Sequence, residues 1–326
     1  MYQHYSQNRD NSQYFDKYKS FLFFHFILYT SKYHIFKYQL FSLSHPQPLT
    51  HFLLLCYTLF MSSVLKEITS IFHYRELLMQ MVSREVKARY KQSILGYFWV
   101  ILNPLAQMLV MSFAFSIILR IPTNSSSNIP YSVFLFVALL PWTLFSNSLS
   151  SACNSLVGSS SLITKVYFPR TILVISTIIA KIIDFLFSIS ILIIYMVAYH
   201  IPITINILWV IPIFFIQQIF TFGLSLFFAA SNLLYRDIQY LLGLILTLWL
   251  YLTPVIYPAD IVPDRYRIFF QLNPMAVIIN AYRQTVLGGG SPNYSSIFIA
   301  LMVSILTLYL GLLYFKSREK VFADNI

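Results

Sequence analysis

Between Ser83 and Leu105 the chain reads SREVKARYKQSILGYFWVILNPL, and this junction constrains everything around it. Four cations, Arg84, Lys87, Arg89 and Lys91, fall within eight residues. An apolar run then opens at Tyr97 and carries no charge until Arg120. Lys and Arg collect at the cytoplasmic end of a spanning helix, and this bias sets its orientation. The first span therefore starts inside, and the rest of the chain can be threaded from it.

Composition removes most soluble readings. Only 10% of the residues are charged and 58% are hydrophobic, against about 25% charged for a typical soluble domain. The net charge of +11 would suggest nucleic acid in a soluble protein. Here the cations cluster at helix ends, so the positive-inside bias is the simpler cause and no nucleic-acid partner is expected. Cys56 and Cys153 lie in apolar surroundings and offer neither a disulfide framework nor metal-ligand spacing.

A span needs about 20 mainly apolar residues. Six runs read as spans: roughly 97–119, 131–151, 171–199, 205–230, 239–257 and 297–315. The third exceeds one bilayer and is expected to begin in the interface. Pro202 separates the third from the fourth, and Pro212 is a candidate kink in the fourth. With this threading twelve cations lie inside: Lys66, Arg75, Arg84, Lys87, Arg89, Lys91, Lys165, Arg170, Arg236, Lys316, Arg318 and Lys320. Four lie outside: Arg120, Arg265, Arg267 and Arg283. The fold class that follows is an all-α polytopic membrane protein with both termini cytoplasmic. Its parts are an extension at 1–60, a cytoplasmic interface segment at 61–96, a six-helix membrane domain at 97–315 and a tail at 316–326.

Residues 1–60 fit none of this. Their two apolar patches, 21–28 and 52–60, are each too short to span, and no small-residue cleavage site follows the first. Translated upstream DNA with Met61 as the start is the favoured reading, and a genuine interfacial extension is its rival. From Val64 to Val86, apolar residues at Val64, Ile68, Ile71, Leu78, Val82 and Val86 share one helical face, with Lys66, Glu67, Arg84 and Lys87 off that stripe. A basic amphipathic helix of this kind is expected to lie on the membrane surface as an anchor. An interface with a cytoplasmic partner is the sharper reading.

No catalytic constellation is present in the sequence. It has no Asp-x-Asp pair, no His-x-x-x-His and no Gly followed by Lys, hence no phosphate-binding P-loop. No cofactor is expected on this chain, and if ATP drives it, another chain hydrolyses the ATP. Lys181 and Asp184 sit three apart in the third span, where ionisable residues are functional suspects. An internal ion pair that fixes helix packing is the favoured account, since a proton relay needs more members. The loop after the second span carries a short amphipathic piece, Leu162–Tyr167, ended by Phe168-Pro169-Arg170. It is patterned enough to dock a partner. Beyond the fifth span, Thr253-Pro254 and Tyr257-Pro258 should break the helix. Two short helices are expected at 262–272 and 274–287, the second capped by Asn273 with Pro274 in its first turn. Arg265, Arg267 and Arg283 are expected off their apolar faces. A gate at the outer mouth is the functional reading, and a loop lying on the membrane is the plain one. Aromatics such as Tyr97, Trp99, Trp142, Trp249 and Tyr257 read first as interface belts, although their faces can also stack on sugar rings.

Taken in order, RYKQSILGYFWVILNPL at 89–105, LITKVYFPRTIL at 162–173, Asp184-Phe185, LLYRDIQYLL at 233–242, TPVIYP at 253–258 and LNPMAVIINAYRQTVLGG at 272–289 resemble one family. It is the membrane subunit of type-2 ABC exporters, in the branch that moves lipid-linked polysaccharides such as O-antigen, capsule and teichoic acid. The resemblance runs from about Ser62 to Lys320 and leaves 1–60 without a counterpart.

The resemblance implies a second copy of the chain and two separate ATPase subunits that hold the ATP and Mg. It implies a multi-pass place in the cytoplasmic (inner) membrane, among membrane lipid. It makes Arg84, Lys87, Arg89 and Lys91 part of an interface helix. Leu162, Lys165, Tyr167, Pro169 and Arg170 become a coupling helix on the ATPase. Arg265, Arg267, Asn273, Pro274 and Arg283 become parts of extracytoplasmic gate helices. The expected cargo is a polyprenyl-diphosphate-linked polysaccharide. A permease for a drug or small lipid is the alternative, disfavoured by the RYKQSILG and LNPM segments. An ion-coupled carrier would need more intramembrane charges than one Lys–Asp pair.

Overall fold

The structure is a computed structural model that describes residues 67, 69–90, 96, 98–118, 129–288 and 290–322. The extension at 1–60, its proposed boundary at Met61, and Lys91 lie outside these residues, as do the side chains of Arg89 and Arg267.

Every regular element among the described residues is helical. Helix α1 runs Arg75–Tyr90. Helix α2, Phe98–Ser112, continues into a π-helical turn at Phe113–Ile118. Helix α3 is Tyr131–Ser155, α4 is the short Ser160–Lys165, and α5 is Thr171–Ala198. A 3-10 turn at Ile205–Trp209 leads into α6, Val210–Leu234. The change of helix type falls beside Pro212, which sits in the first turn of α6, where proline is tolerated. Helix α7 is Ile238–Leu252, α8 is Arg267–Leu272, α9 is Pro274–Val286 and α10 is Tyr294–Glu319.

Among the described residues, five stretches are long and apolar enough to cross a bilayer: Phe98–Ile118, Tyr131–Ser155, Thr171–Ala198, Ile205–Leu234 and Tyr294–Glu319. The expected fifth span departs from the pattern. Its helix α7 stops at Leu252 after 15 residues, a rise of about 22 Å at 1.5 Å per residue. That falls short of the roughly 30 Å hydrocarbon core. The prolines explain the stop: Pro254 restricts Thr253 and removes a helical donor. The chain then runs on without helix through Thr253, Pro254, Val255, Ile256 and Pro258, all buried.

Helix α3 is the centre of the bundle and packs against α2, α5, α6 and α9. Leu135, Phe136, Leu139, Leu140, Phe145 and Leu149 are fully enclosed there. Phe145 stacks on Phe220 of α6 with centroids 5.8 Å apart and meets the edge of Trp249 of α7 at 5.3 Å. Helices α6 and α10 pack most closely of all. A Cβ placed on Gly223 would come within 2.6 Å of the Leu308 backbone nitrogen, and one on Gly311 would strike the Gly223 carbonyl. Small residues of this kind let spanning helices approach by their backbones.

A second core closes the end of the bundle that carries α1, α4 and the end of α10. Leu78, Met81 and Val82 of α1 are buried with Ile163, Phe168, Ile172, Phe315 and Phe322. The stripe expected to anchor α1 on a membrane surface is thus partly covered by protein. Phe72 and Met79, seven residues apart, are instead 71% and 69% exposed. Helix α1 thus buries apolar side chains against α5, while Met79 on it and Phe72 just before it stay open.

Candidate functional site

Three places hold the polar side chains that the sequence singles out, and they lie at different levels of the bundle. The first is the loop between α3 and α5. A 3-10 turn at Val157–Ser159 passes into α4, and the backbone is extended at Val166. Ile163 and Phe168 plug the core below, and Leu162 is half-buried beside them. With these anchors buried, Lys165, Val166 and Tyr167 are pushed outward, Tyr167 to 94% exposure. The proline and the two buried anchors thus hold the Tyr167 side chain out from the fold. Arg84 of α1 braces the loop through a 3.0 Å hydrogen bond from Nη2 to Ser159 Oγ and lies 3.6 Å from Glu85. Lys87 is exposed one turn on.

Arg170 behaves differently from its neighbours. It donates to the backbone carbonyl of Glu319 and lies 5.8 Å over the ring of Phe322, with Pro169 half-buried beside it. It thus ties the loop to α10 rather than facing outward. Next to it, Glu67 accepts from Thr171 Oγ1 at 2.9 Å and pairs with Lys316, which also reaches Glu319 at 3.1 Å. Glu67 is buried, and sequence reasoning gave it no role beyond lying off the apolar stripe.

The second place is the unwound segment after α7. Arg283 is buried, with its guanidinium 3.7 Å over the ring of Phe134. It donates to the carbonyls of Pro254 at 2.6 Å, Val255 at 2.5 Å and Tyr257 at 3.2 Å. Tyr131 Oη donates to the intervening carbonyl of Ile256 at 2.5 Å. The expectation that Arg283 lies off the apolar face is corrected by this placement: the free carbonyls need a buried donor. Asn273 acts as the predicted cap, accepting from Met275 N at 3.1 Å, and does more. Its Oδ1 also accepts from Trp249 Nε1 at 3.1 Å, and its Nδ2 donates to Thr253 Oγ1 at 3.0 Å. Pro274 follows, buried in the first turn. Arg265 is exposed, 6.0 Å over the ring of Tyr266. The bridge therefore divides the candidate gate residues: Asn273, Pro274 and Arg283 form one packed unit, and Arg265 stands outside it.

The third place is a cavity of about 630 Å³ among α2, α3 and α5, with Leu250 of α7 at its edge. Asn103 and Gln107 come from α2, Thr143, Ser146 and Asn147 from α3, and Lys181, Asp184 and Ser188 from α5. Trp99 and Trp142 also line it. Lys181 Nζ lies 4.0 Å from Asp184 Oδ2, as the i,i+3 spacing predicts. The pair belongs to the cavity wall and is not sealed between packed helices.

The chain matches the family description "ABC-2 type transporter" over residues 76–287, from the first turn of α1 to the end of α9. This chain belongs to that family. It is 32% identical over 266 residues to the O-antigen export system permease protein RfbA of Myxococcus xanthus, covering 81% of this chain and 100% of that protein. It is 32% identical over 250 residues to the protein of the same name from Klebsiella pneumoniae, covering 76% and 94% of the two chains. The Polysialic acid transport protein KpsM of Escherichia coli is 26% identical over 243 residues, covering 73% and 91%. The sequence-based assignment to the ABC exporter membrane subunits therefore stands, and this ABC-2 chain is a multi-pass membrane protein.

Several polar residues that hold this ABC-2 fold together escaped the sequence reading. Gln217 of α6 donates to the Pro141 carbonyl at 2.8 Å and accepts from Tyr282 Oη at 3.1 Å. Asn232 donates to the Cys153 carbonyl at 3.0 Å, and its Oδ1 caps the start of α7 at Gln239 N. An amide inside an apolar span was the signal available for both, because such a group must find partners within the protein.

Proposed function

We propose that this chain is the membrane-spanning subunit of an ATP-driven exporter that carries a polyprenyl-diphosphate-linked polysaccharide, of the O-antigen or capsule kind, across the cytoplasmic membrane. The carrying observation is the match over the full length of an O-antigen export permease, covering 81% of this chain. The match to a polysialic acid transport protein extends the cargo class to capsule-type polymers.

In this reading two copies of the chain assemble with two ATPase subunits, which hold the ATP and Mg. The α4 loop docks on the ATPase through Lys165 and Tyr167, supported by the outward placement of Tyr167 above two buried anchors. ATP-driven closure of the ATPase pair moves α4, and α5 transmits the movement because Phe168 and Arg170 fix its first turn to α1 and α10. Helices α8 and α9 border the outer mouth, and the Arg283 bridge keeps the broken span rigid there.

The test is depletion of this protein in cells, with surface polysaccharide and polyprenyl-linked polymer inside quantified together. Loss at the surface with accumulation inside is the expected result, and the sugar composition then names the cargo. An unchanged surface glycan with no internal build-up overturns the reading and transfers the search to drugs and small lipids.

A further inference from the structure

We propose that the cavity among α2, α3 and α5 is a saccharide-binding subsite that holds a short stretch of the sugar chain in transit. This rests on the exporter reading and adds to it the residues that touch the cargo. Each of three helices turns a polar stripe toward the same space. Asn103 and Gln107 are i,i+4 on α2, and Lys181 and Asp184 are i,i+3 on α5, with Asn147 facing them from α3. Asn103, Gln107 and Asn147 are all exposed, and all lie in helices long and apolar enough to cross a bilayer. Polar groups there face a protein interior or a water-filled cavity, because hydrocarbon gives them no partner.

The chemistry of the lining selects among occupants. Carboxamides offer donors and acceptors together, and a sugar hydroxyl needs both. Lys181 and Asp184 cancel each other's charge, so the site suits a hydroxyl-rich segment better than an isolated phosphate or a metal ion. A lipid tail would leave the amides unpaired, at a cost. Trp99 lines the same space and is partly exposed, giving a flat apolar surface of the kind a sugar ring covers. The volume of about 630 Å³ lies within the range of small-ligand sites, about 300–1,000 Å³.

The experiment places a photo-reactive benzoylphenylalanine at Gln107 or Asn147, or at Leu248 on α7 as an exposed control. The full chain is expressed with its ATPase in cells making their own surface polysaccharide, which serves as the probe. After irradiation the protein is purified under denaturing conditions and stained for sugar. Glycan-bearing adducts at 107 and 147, absent at 248, are expected. Adducts to a second copy of the chain without sugar overturn the proposal and make this face a subunit contact. Absence of any adduct at 107 and 147, while wild-type cells export glycan, overturns it as well. As an independent measure, the Q107A/N147A chain at unchanged abundance should lower surface glycan roughly tenfold; wild-type levels would count against the subsite. The exporter reading is judged separately, by depletion of the wild-type chain. If depletion leaves the surface glycan unchanged, both fall; if only the adducts are missing, the subsite alone falls.

Discussion

Arg283 on α9 donates a 2.6 Å hydrogen bond to the carbonyl of Pro254, across the break that ends α7. That bond belongs to a set that satisfies four carbonyls in succession. Pro254, Val255 and Tyr257 accept from the guanidinium, and Ile256 accepts from Tyr131. Backbone that leaves the helix at membrane depth must be satisfied inside the protein. One planar fork of donors does this for three carbonyls, which a lysine ammonium with its point charge cannot reproduce. The broken span is thus a built element.

Removing that fork should therefore damage folding before it damages transport. Arg283→Ala removes the donor from two buried carbonyls and one half-buried one, at about 1–3 kcal/mol for each buried group, so a loss of about 3 kcal/mol or more is expected. Arg283→Lys should fall between Ala and wild type. Tyr131→Phe frees the Ile256 carbonyl alone and should cost about 1–2 kcal/mol. Heat-unfolding midpoints of the detergent-purified chain check the order. An Arg283→Ala chain as stable as wild type would remove the structural role.

The contact between α6 and α10 gives a second outcome. Gly223 and Gly311 meet backbone to backbone, and a Cβ on either has no room. Gly223→Ala and Gly311→Ala should each cost about 2 kcal/mol by forcing the helices apart. The pair shares one contact, so the double variant should lose less than the sum of the singles. Additive losses would mean that the helices do not meet there.

How much of this was legible in the sequence depends on whether local chemistry or long-range pairing decides each feature. Five of the six expected spans follow from apolar length, and the Asn273-Pro274 helix start follows from capping chemistry alone. The stop at Leu252 follows from two prolines. Arg283 was misplaced because a cation on a short amphipathic helix reads as surface until the carbonyls it serves, some 29 residues earlier, are known. Glu67 was left without a role for the same reason: its partners, Thr171 and Lys316, lie far along the chain. The Lys181–Asp184 pair was legible as a pair, but the cavity beside it is made by three helices and is invisible in any one of them.

The α4 loop separates a docking role from a structural one. Tyr167 and Lys165 make no burial that the fold needs, so Tyr167→Ala and Lys165→Glu should change stability by less than about 0.5 kcal/mol. Both should sharply lower the amount of ATPase that co-purifies. Arg170→Glu should lower ATPase recovery and stability together, because Arg170 holds the Glu319 carbonyl and covers Phe322. Unchanged ATPase recovery from Tyr167→Ala would remove the docking role of the loop.

The Glu67–Lys316 pair predicts an asymmetry. Lys316 keeps a second partner in Glu319 at 3.1 Å and is partly exposed, so Glu67→Gln leaves it neither unpaired nor dry. Glu67 is buried, and its other bond in the cluster is from Thr171 Oγ1. Lys316→Met therefore strands a carboxylate against an apolar core, and such a charge costs more than the pair itself contributes. Lys316→Met should cost about 2–3 kcal/mol, and Glu67→Gln about 1 kcal/mol. Adding Glu67→Gln to Lys316→Met should then recover part of the loss, since it removes the stranded charge. Unfolding midpoints for the four chains of this cycle decide it. Equal single losses that simply add would mean that Glu67 and Lys316 do not act as a pair.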